Sequence, residues 1–314
     1  MADTLELHLL RSTGLERIDA RPAGAGIYTG MRTFKHERFL WLDAHLARLE
    51  SNIAMLGWDF ELDHGVVRRG LHAAVSAHAG EDARVRLDVL AEGPEDERLV
   101  CELRPFTPIP AAFIAEGVGV ALTSELRREQ PRVKRTAFIE QRKPYPLQGQ
   151  ECFEHIMVAP DGRLLEGTSS NFFGVSGGVL RTSGEDVLEG ITRKVFLHLA
   201  RRANLPVDLN SMHTTELGGL DEAFITSSSR GLVPVCAIEG RAVGSGAPGP
   251  VARRLLADYA TLCELEPRPA RLGNAILSSH TCKIGSTCRG RHLHGCKASQ
   301  DWDDSGDTSG VLMR

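Results

Sequence analysis

Nowhere does this chain of 314 residues approach the roughly 18 consecutive apolar residues that a membrane-spanning helix needs. A charge excess is lacking too. Its 37 Lys and Arg stand against 41 Asp and Glu, with both signs scattered along the sequence, so electrostatics make no case for nucleic acid or an anionic membrane as partner. The opening residues Met1–Glu6 do not show the basic-then-apolar pattern of a secretory signal. Nor do the cysteines form a framework: Cys101, Cys152, Cys236 and Cys263 sit singly in apolar or mixed segments, while the other three crowd the C-terminal end. That usage suits reduced thiols better than disulfides. Together these absences predict a soluble, cytoplasmic protein whose ligand is small.

What is present begins with bulk. A chain of this length with 42% hydrophobic residues can bury a sizeable core and is longer than one ordinary domain needs, so two domains are expected. Leu42, Leu46, Leu49, Ile53 and Leu56 recur at helical spacing and predict a helix with one buried stripe, off which Arg48 falls. Arg84 to Val89 alternates with period two and predicts a strand, with Leu99 to Leu103 as its partner across the polar loop Glu92 to Glu97. Pro105, Pro108 and Pro110 then interrupt the pattern, which suits a connector and not a helix or central strand. The domain boundary is placed there, giving a first domain over 1–110 and a second over 117–270.

The second half opens with a strand at Gly117–Leu122. A hairpin follows at Phe153 to Val158, Asp161-Gly162 and Leu164-Leu165, and another turn at Ser176-Gly177-Gly178. Ile191, Val195 and Leu199 mark a helix after Gly190, with a strand at Ala223 to Thr226. Beyond about Arg271 the hydrophobic periodicity disappears and Ser, Gly, Asp and His dominate, so 271–314 is expected to be a disordered tail.

Five features could carry chemistry. Lys134, in Pro131-Arg132-Val133-Lys134-Arg135-Thr136, becomes a nucleophile if a pocket lowers its pKa; otherwise it is a solvated strand residue. Glu166 at a strand end is either a surface carboxylate before a turn or the group that keeps a pyridine nitrogen protonated. Gly190-Ile191-Thr192 opens a helix, where free N–H groups and the dipole favour a phosphate. Thr226-Ser227-Ser228-Ser229 gives a second hydroxyl-rich turn after an apolar strand. Arg48 could bind phosphate through two N–H groups.

In order and spacing these features resemble the class IV aminotransferases, the family of branched-chain and D-amino acid aminotransferases and aminodeoxychorismate lyase. The resemblance begins at Gly24-Ala25-Gly26-Ile27-Tyr28-Thr29-Gly30-Met31-Arg32-Thr33, passes through His45-Leu46-Ala47-Arg48-Leu49 and runs to Pro234-Val235. Its most specific stretch is Glu166-Gly167-Thr168-Ser169-Ser170-Asn171, which follows Lys134 at about the family's interval. The resemblance implies an α+β, two-domain fold (fold type IV): a small N-terminal α/β domain and a C-terminal barrel-like α/β domain, in a homodimer. It implies pyridoxal 5'-phosphate as cofactor, Lys134 as the Schiff-base lysine and proton shuttle, and Glu166 as partner of the ring nitrogen. Arg48, Ile191, Thr192, Ser228 and Ser229 would hold the phosphate. Amino acids and 2-oxo acids are the implied substrates. Aminodeoxychorismate lyase, which eliminates pyruvate, is the alternative that these motifs leave open.

Substrate residues are less marked. The loop Glu92–Arg98 lacks the Arg-x-His carboxylate trap of the D-amino acid enzymes, which argues against a D-amino acid substrate. Arg32, Arg84, Arg86 and Arg230 raise an acidic one, against the simpler reading that Arg84 and Arg86 share the solvent face of a strand. Tyr28, Arg32 and Arg230 are taken as the substrate candidates. In the tail, Cys282, Cys288, His292, His294 and Cys296 could ligate zinc, but their spacing matches no common finger, and no metal is expected.

Overall fold

Leu42 to Leu56 does fold as a helix, and the alternating run around Arg84–Val89 as a strand. In the computed structural model, which describes residues 5–270, the first half comprises β1 (Glu6–Arg11), β2 (Gly14–Ile18), β3 (Gly26–Phe34), β4 (Arg38–Phe39), α1 (Leu42–Met55), α2 (His64–Ala77), β5 (Ala83–Leu90) and β6 (Leu99–Pro105). The second half comprises α3 (Ala111–Ala115), β7 (Val118–Thr123), α4 (Ala137–Gln141), β8 (Glu154–Val158), β9 (Leu164–Gly167), β10 (Asn171–Ser176), β11 (Val179–Arg181), α5 (Ile191–Arg202), β12 (Val207–Asp208), β13 (Glu222–Ser227), β14 (Gly231–Ile238), β15 (Arg241–Ala242), α6 (Pro250–Leu265) and β16 (Arg268–Pro269). The ligand-type residues Cys282, Cys288, His292, His294 and Cys296, and the tail 271–314 with them, lie outside the described residues.

The first sheet has the order β16-β4-β3-β5-β6-β1-β2 with every pairing antiparallel. One face packs on α1 and α2 through Leu46, Leu49, Val67, Leu71, Val85 and Leu87. The other carries Tyr28, Arg32, Arg84, Arg86, Asp88, Glu102 and Arg104, the alternate residues of β3, β5 and β6 brought into register. Period two thus divides one sheet into an apolar side and a charged side. The last described strand, β16, returns from the far end of the chain to this sheet.

The second sheet runs β12-β11-β10-β13-β14-β7-β8-β9, and β9 pairs back onto β10 through Asn171 and Glu166. That pairing closes six strands into a barrel. Alternation sorts its side chains: Phe172, Ile225 and Val233 fill one cluster with Val118, Ile156 and Leu164. Their neighbours Phe173, Phe224 and Leu232 pack against Val195, Phe196 and Leu199 of α5 and Leu255 and Leu262 of α6. The closure on Asn171 and Glu166 sets the two most chemical residues of the Glu166–Asn171 stretch side by side, and α5 begins beside them. No described helix is long and apolar enough to cross a membrane.

Candidate active site

Lys134 stands on the irregular segment leading into α4, not in a named strand, and its backbone is tied to the first half of the chain. The Tyr28 N–H donates to the Lys134 carbonyl at 2.9 Å. The Lys134 N–H donates to Asn52 Oδ1 at 2.9 Å, and Asn52 Nδ2 donates to the Arg132 carbonyl at 3.1 Å. Thus β3 and α1 fix the residue from both sides. Its Nζ lies 4.8 Å from the centre of the Tyr28 ring. Burial pushes the Lys134 pKa down to about 8; Arg128 and Arg48 act in the same sense, and Tyr28 and Glu166 oppose them. An amine so placed can act as nucleophile and proton carrier near neutral pH. Burial resists ionisation of Tyr28 in turn, but Lys134, Arg128, Arg142 and Arg86 outweigh it and bring that pKa to about 8.

Glu166 is buried on β9 and held by three hydrogen bonds. Its Oε1 accepts from Arg128 Nε at 2.8 Å and from the Leu188 N–H at 3.1 Å, and its Oε2 accepts from Asn171 Nδ2 at 3.0 Å. Burial pushes its pKa up, while Arg128 and the Leu188 N–H pull it down. Arg128, buried with its guanidinium 3.7 Å from the Phe138 ring centre, escapes sequence reasoning: nothing in Leu126-Arg127-Arg128-Glu129 tells which arginine turns inward. Asn52 escapes it as well. Asn171 belongs to the motif, but the sequence assigns it no role.

Arg48, off the apolar stripe of α1, is half-buried. Nη2 donates to Thr29 Oγ1 at 2.7 Å and Nη1 to the Glu189 carbonyl at 3.4 Å, while Nε is buried without a partner among the described residues. Thr29 Oγ1 also meets His45 Nδ1 at 2.7 Å. Burial, and then the charges of Arg48 and Lys134, keep the His45 pKa well below its ordinary value. Burial lowers Arg48 itself to about 10, still a cation at neutral pH. Opposite, α5 begins after Gly190 with no side-chain cap, leaving its first N–H groups open to an anion. Thr192 Oγ1 donates to Ser228 Oγ at 3.1 Å, joining that helix start to the hydroxyl-rich turn. A Cβ on Gly190 would lie 2.1 Å from Asn171 Oδ1, so only glycine lets the chain pass there.

Every nominated residue except Arg32 lines one cavity of about 1050 Å³. Arg32 is not brought there; its Nη2 lies 3.6 Å from Asp82 Oδ2 and its guanidinium 3.7 Å from the Phe106 ring centre. Arg230 lines the cavity, but Nη1 donates to buried Glu154 at 3.0 Å and Nη2 to Ser169 Oγ at 2.8 Å. Arg84 and Arg86 do share a face, yet Arg84 lines the cavity while Arg86 is clamped on Asp88 at 2.7 and 2.9 Å.

A half-buried lysine with a lowered pKa, a buried carboxylate and an uncapped helix start thus share one cavity beside a six-stranded barrel. The amino-transferase class IV family model matches residues 26–238. A D-alanine aminotransferase of Bacillus licheniformis is 30% identical over 247 residues, covering 74% of this chain and 85% of that protein. A branched-chain-amino-acid aminotransferase of Pseudomonas aeruginosa is 26% identical over 261 residues, 75% of this chain and 83% of that one. Among solved structures, the branched-chain aminotransferase of Thermoproteus uzoniensis with norvaline superposes with a TM-score of 0.70 at 20% identity, covering 84% of this chain and 99% of that one. A branched-chain amino acid aminotransferase solved with pyridoxamine 5'-phosphate gives 0.72 at 17%, covering 84% and 98%. The chain belongs to the class IV aminotransferase family, and it is an enzyme of the aminotransferase type.

Proposed function

We propose that this enzyme uses pyridoxal 5'-phosphate, carried on Lys134, to move an amino group between an amino acid and a 2-oxo acid. The observation behind the reading is the half-buried Lys134 with its pKa lowered to about 8, in one cavity with hydrogen-bonded Glu166 and an uncapped helix start. When bound, the cofactor supplies an aldehyde that combines with amines and a pyridine ring that accepts electrons. The residues fit such a group. Arg48, whose buried Nε lacks a partner among the described residues, would hold the phosphate with the N–H groups of Ile191 and Thr192 and the hydroxyls of Thr192, Ser228 and Ser229. Glu166, fixed by Arg128 and Asn171, would keep the ring nitrogen protonated.

Lys134 then has two tasks. Its amine would yield its place to the amine of the substrate, and the freed Nζ would take the α-proton and redeliver it; with the amino group retained on the cofactor and water supplying the carbonyl oxygen, the amino acid would leave as a 2-oxo acid. A second carbonyl substrate runs the same proton back. Tyr28, with its ring beside Nζ, covers one side of this movement and supports the ammonium form between transfers.

Borohydride treatment of the loaded protein should fix the pyridoxyl group on the Lys134 peptide, read as a mass increment, and Lys134→Ala should show none. An unmodified wild-type peptide overturns the assignment. Product analysis with and without 2-oxoglutarate checks the reaction: transfer requires the acceptor, whereas elimination as in aminodeoxychorismate lyase would release pyruvate without it. We further read 1–110 and 117–270 as two domains joined by the proline-rich segment, acting as a homodimer in the cytoplasm. An apolar cluster centred on the first sheet beside another inside the barrel supports the two domains, and the free thiols of Cys101, Cys152, Cys236 and Cys263 support a reducing compartment.

A further inference from the structure

Of the arginines that line the cavity, four are committed to groups of the protein. Arg48 serves Thr29 and the Glu189 carbonyl, Arg128 holds Glu166, Arg230 holds Glu154, and Arg104 donates to Glu102 at 2.8 Å. The side chains of the other two, Arg84 and Arg142, form no hydrogen bond or ion pair with any described residue. They arrive from different parts of the fold. Arg84 is on β5, in register with Arg32 of β3 and Arg104 of β6, whereas Arg142 caps the C-terminus of α4, the helix that follows Lys134.

The acids that could answer them are already taken. Asp88 accepts from Arg86 and Arg21, Glu102 from Arg21 and Arg104, and Asp82 faces Arg32. On the cavity wall itself Glu6 meets His78 Nδ1 at 2.6 Å, and Glu81 pairs with neither arginine. Desolvation lowers the Arg84 pKa, and the nearby charges of Arg230 and Arg142 lower it further, with Glu102 opposing them; the Arg142 charge also acts on Tyr28, the residue against Lys134. Arg84 is exposed and Arg142 half-buried, both line the cavity that holds the Lys134 amine, and neither is engaged by an acid among the described residues, so both guanidinium groups are available to an anion that enters. Planar guanidinium forks match a carboxylate in particular.

We propose that Arg84 and Arg142 form the carboxylate-binding subsite for the substrate, separate from the Arg48 cradle. This rests on the aminotransferase reading above and defines the substrates as acids, so that an uncharged analogue of the same length is rejected. The carboxylate received is either the one next to the reacting carbon or the far one of a dicarboxylic acid, and ligand binding tells them apart.

The test is calorimetry on the cofactor-loaded protein with three five-carbon probes: pentanoate, glutarate and pentanamide. In Arg84→Gln/Arg142→Gln the dissociation constant of the acids should rise about tenfold or more, since charge-assisted hydrogen bonds are lost, and that of pentanamide should stay. A rise for glutarate alone assigns the subsite to the far carboxylate of a dicarboxylic acid; a rise for both acids assigns it to the carboxylate next to the reacting carbon. Arg84→Lys/Arg142→Lys should recover part of the loss. Unchanged binding of both acids, or equal weakening of acids and amide, overturns the proposal. Should the double variant misfold, Arg142→Gln alone is read in the same way. Borohydride trapping on the same samples keeps the two readings apart: no pyridoxyl group on Lys134 refutes the cofactor assignment, whereas a trapped group with unaltered acid binding refutes the subsite.

Discussion

Lys134 owes its chemistry to what surrounds it. A lysine in water is protonated until far above neutral pH, and here burial brings the pKa down to about 8. The reactive form is the neutral amine, whose fraction grows with pH, so the rate at which cofactor-free protein captures pyridoxal phosphate should rise with pH and level off above about 8. Stopped-flow absorbance measures it; a midpoint near the ordinary lysine value of 10.5 would contradict this environment. Arg128 gives a second residue-scale prediction. Changing it to Met leaves the buried Glu166 carboxylate without its cation, and breaking a buried pair from one side costs about 3–5 kcal/mol. Thermal unfolding should show the loss, and adding Glu166→Gln should recover part of it, because a neutral amide no longer needs the guanidinium. Lys134 and Glu166 were legible because their spacing and the small-residue run after Glu166 lie along the chain. Arg128 was not, because its burial depends on Phe138 and Glu166, neither of which is a near neighbour in sequence.

At the scale of elements, α1 does more than its apolar stripe suggested. One turn after Arg48, Asn52 bonds the backbone at Arg132 and Lys134, so a single helix carries both the arginine proposed for the phosphate and the clamp on Lys134. Asn52→Ala removes two buried hydrogen bonds and leaves peptide groups unpaired, at about 1–3 kcal/mol. Its mark should be a lowered kcat and a shifted pH midpoint for cofactor capture, because Nζ is no longer fixed over Tyr28; a stability loss with an unchanged pH profile would assign Asn52 to the fold alone. The start of α5 is equally exacting. Gly190→Ala puts a methyl against Asn171 Oδ1, which displaces a donor to Glu166. It should weaken cofactor binding by about an order of magnitude, as seen by equilibrium titration of absorbance. Spacing foretold both helices, but not what their off-stripe residues touch.

Across the whole molecule, the cavity is assembled from the first sheet, its helix α1 and the rim of the barrel. A ligand held by Arg48 on one side and by Thr192 and Ser228 on the other links the two halves. The cofactor should therefore stabilise the fold, by about 2.7 kcal/mol at a hundredfold excess over its Kd, and raise Tm in a concentration-dependent way. Ser228→Ala/Thr192→Ala should reduce that increment while leaving the Tm of the cofactor-free protein nearly unchanged.

The sequence by itself determined what depends on neighbours along the chain. Period two divided β5 and β6 into faces, four-residue spacing made α1 and α5, prolines ended the first half, and the Glu166–Asn171 stretch named the chemistry. Tertiary structure alone decided the closure of the barrel by β9 on β10 and the fate of each arginine. A guanidinium goes where an acid awaits it, and those acids stand far away in sequence: Asp82 for Arg32, Glu166 for Arg128, Glu154 for Arg230. Only when all of these pairs are formed does it become visible that Arg84 and Arg142 are left facing the cavity.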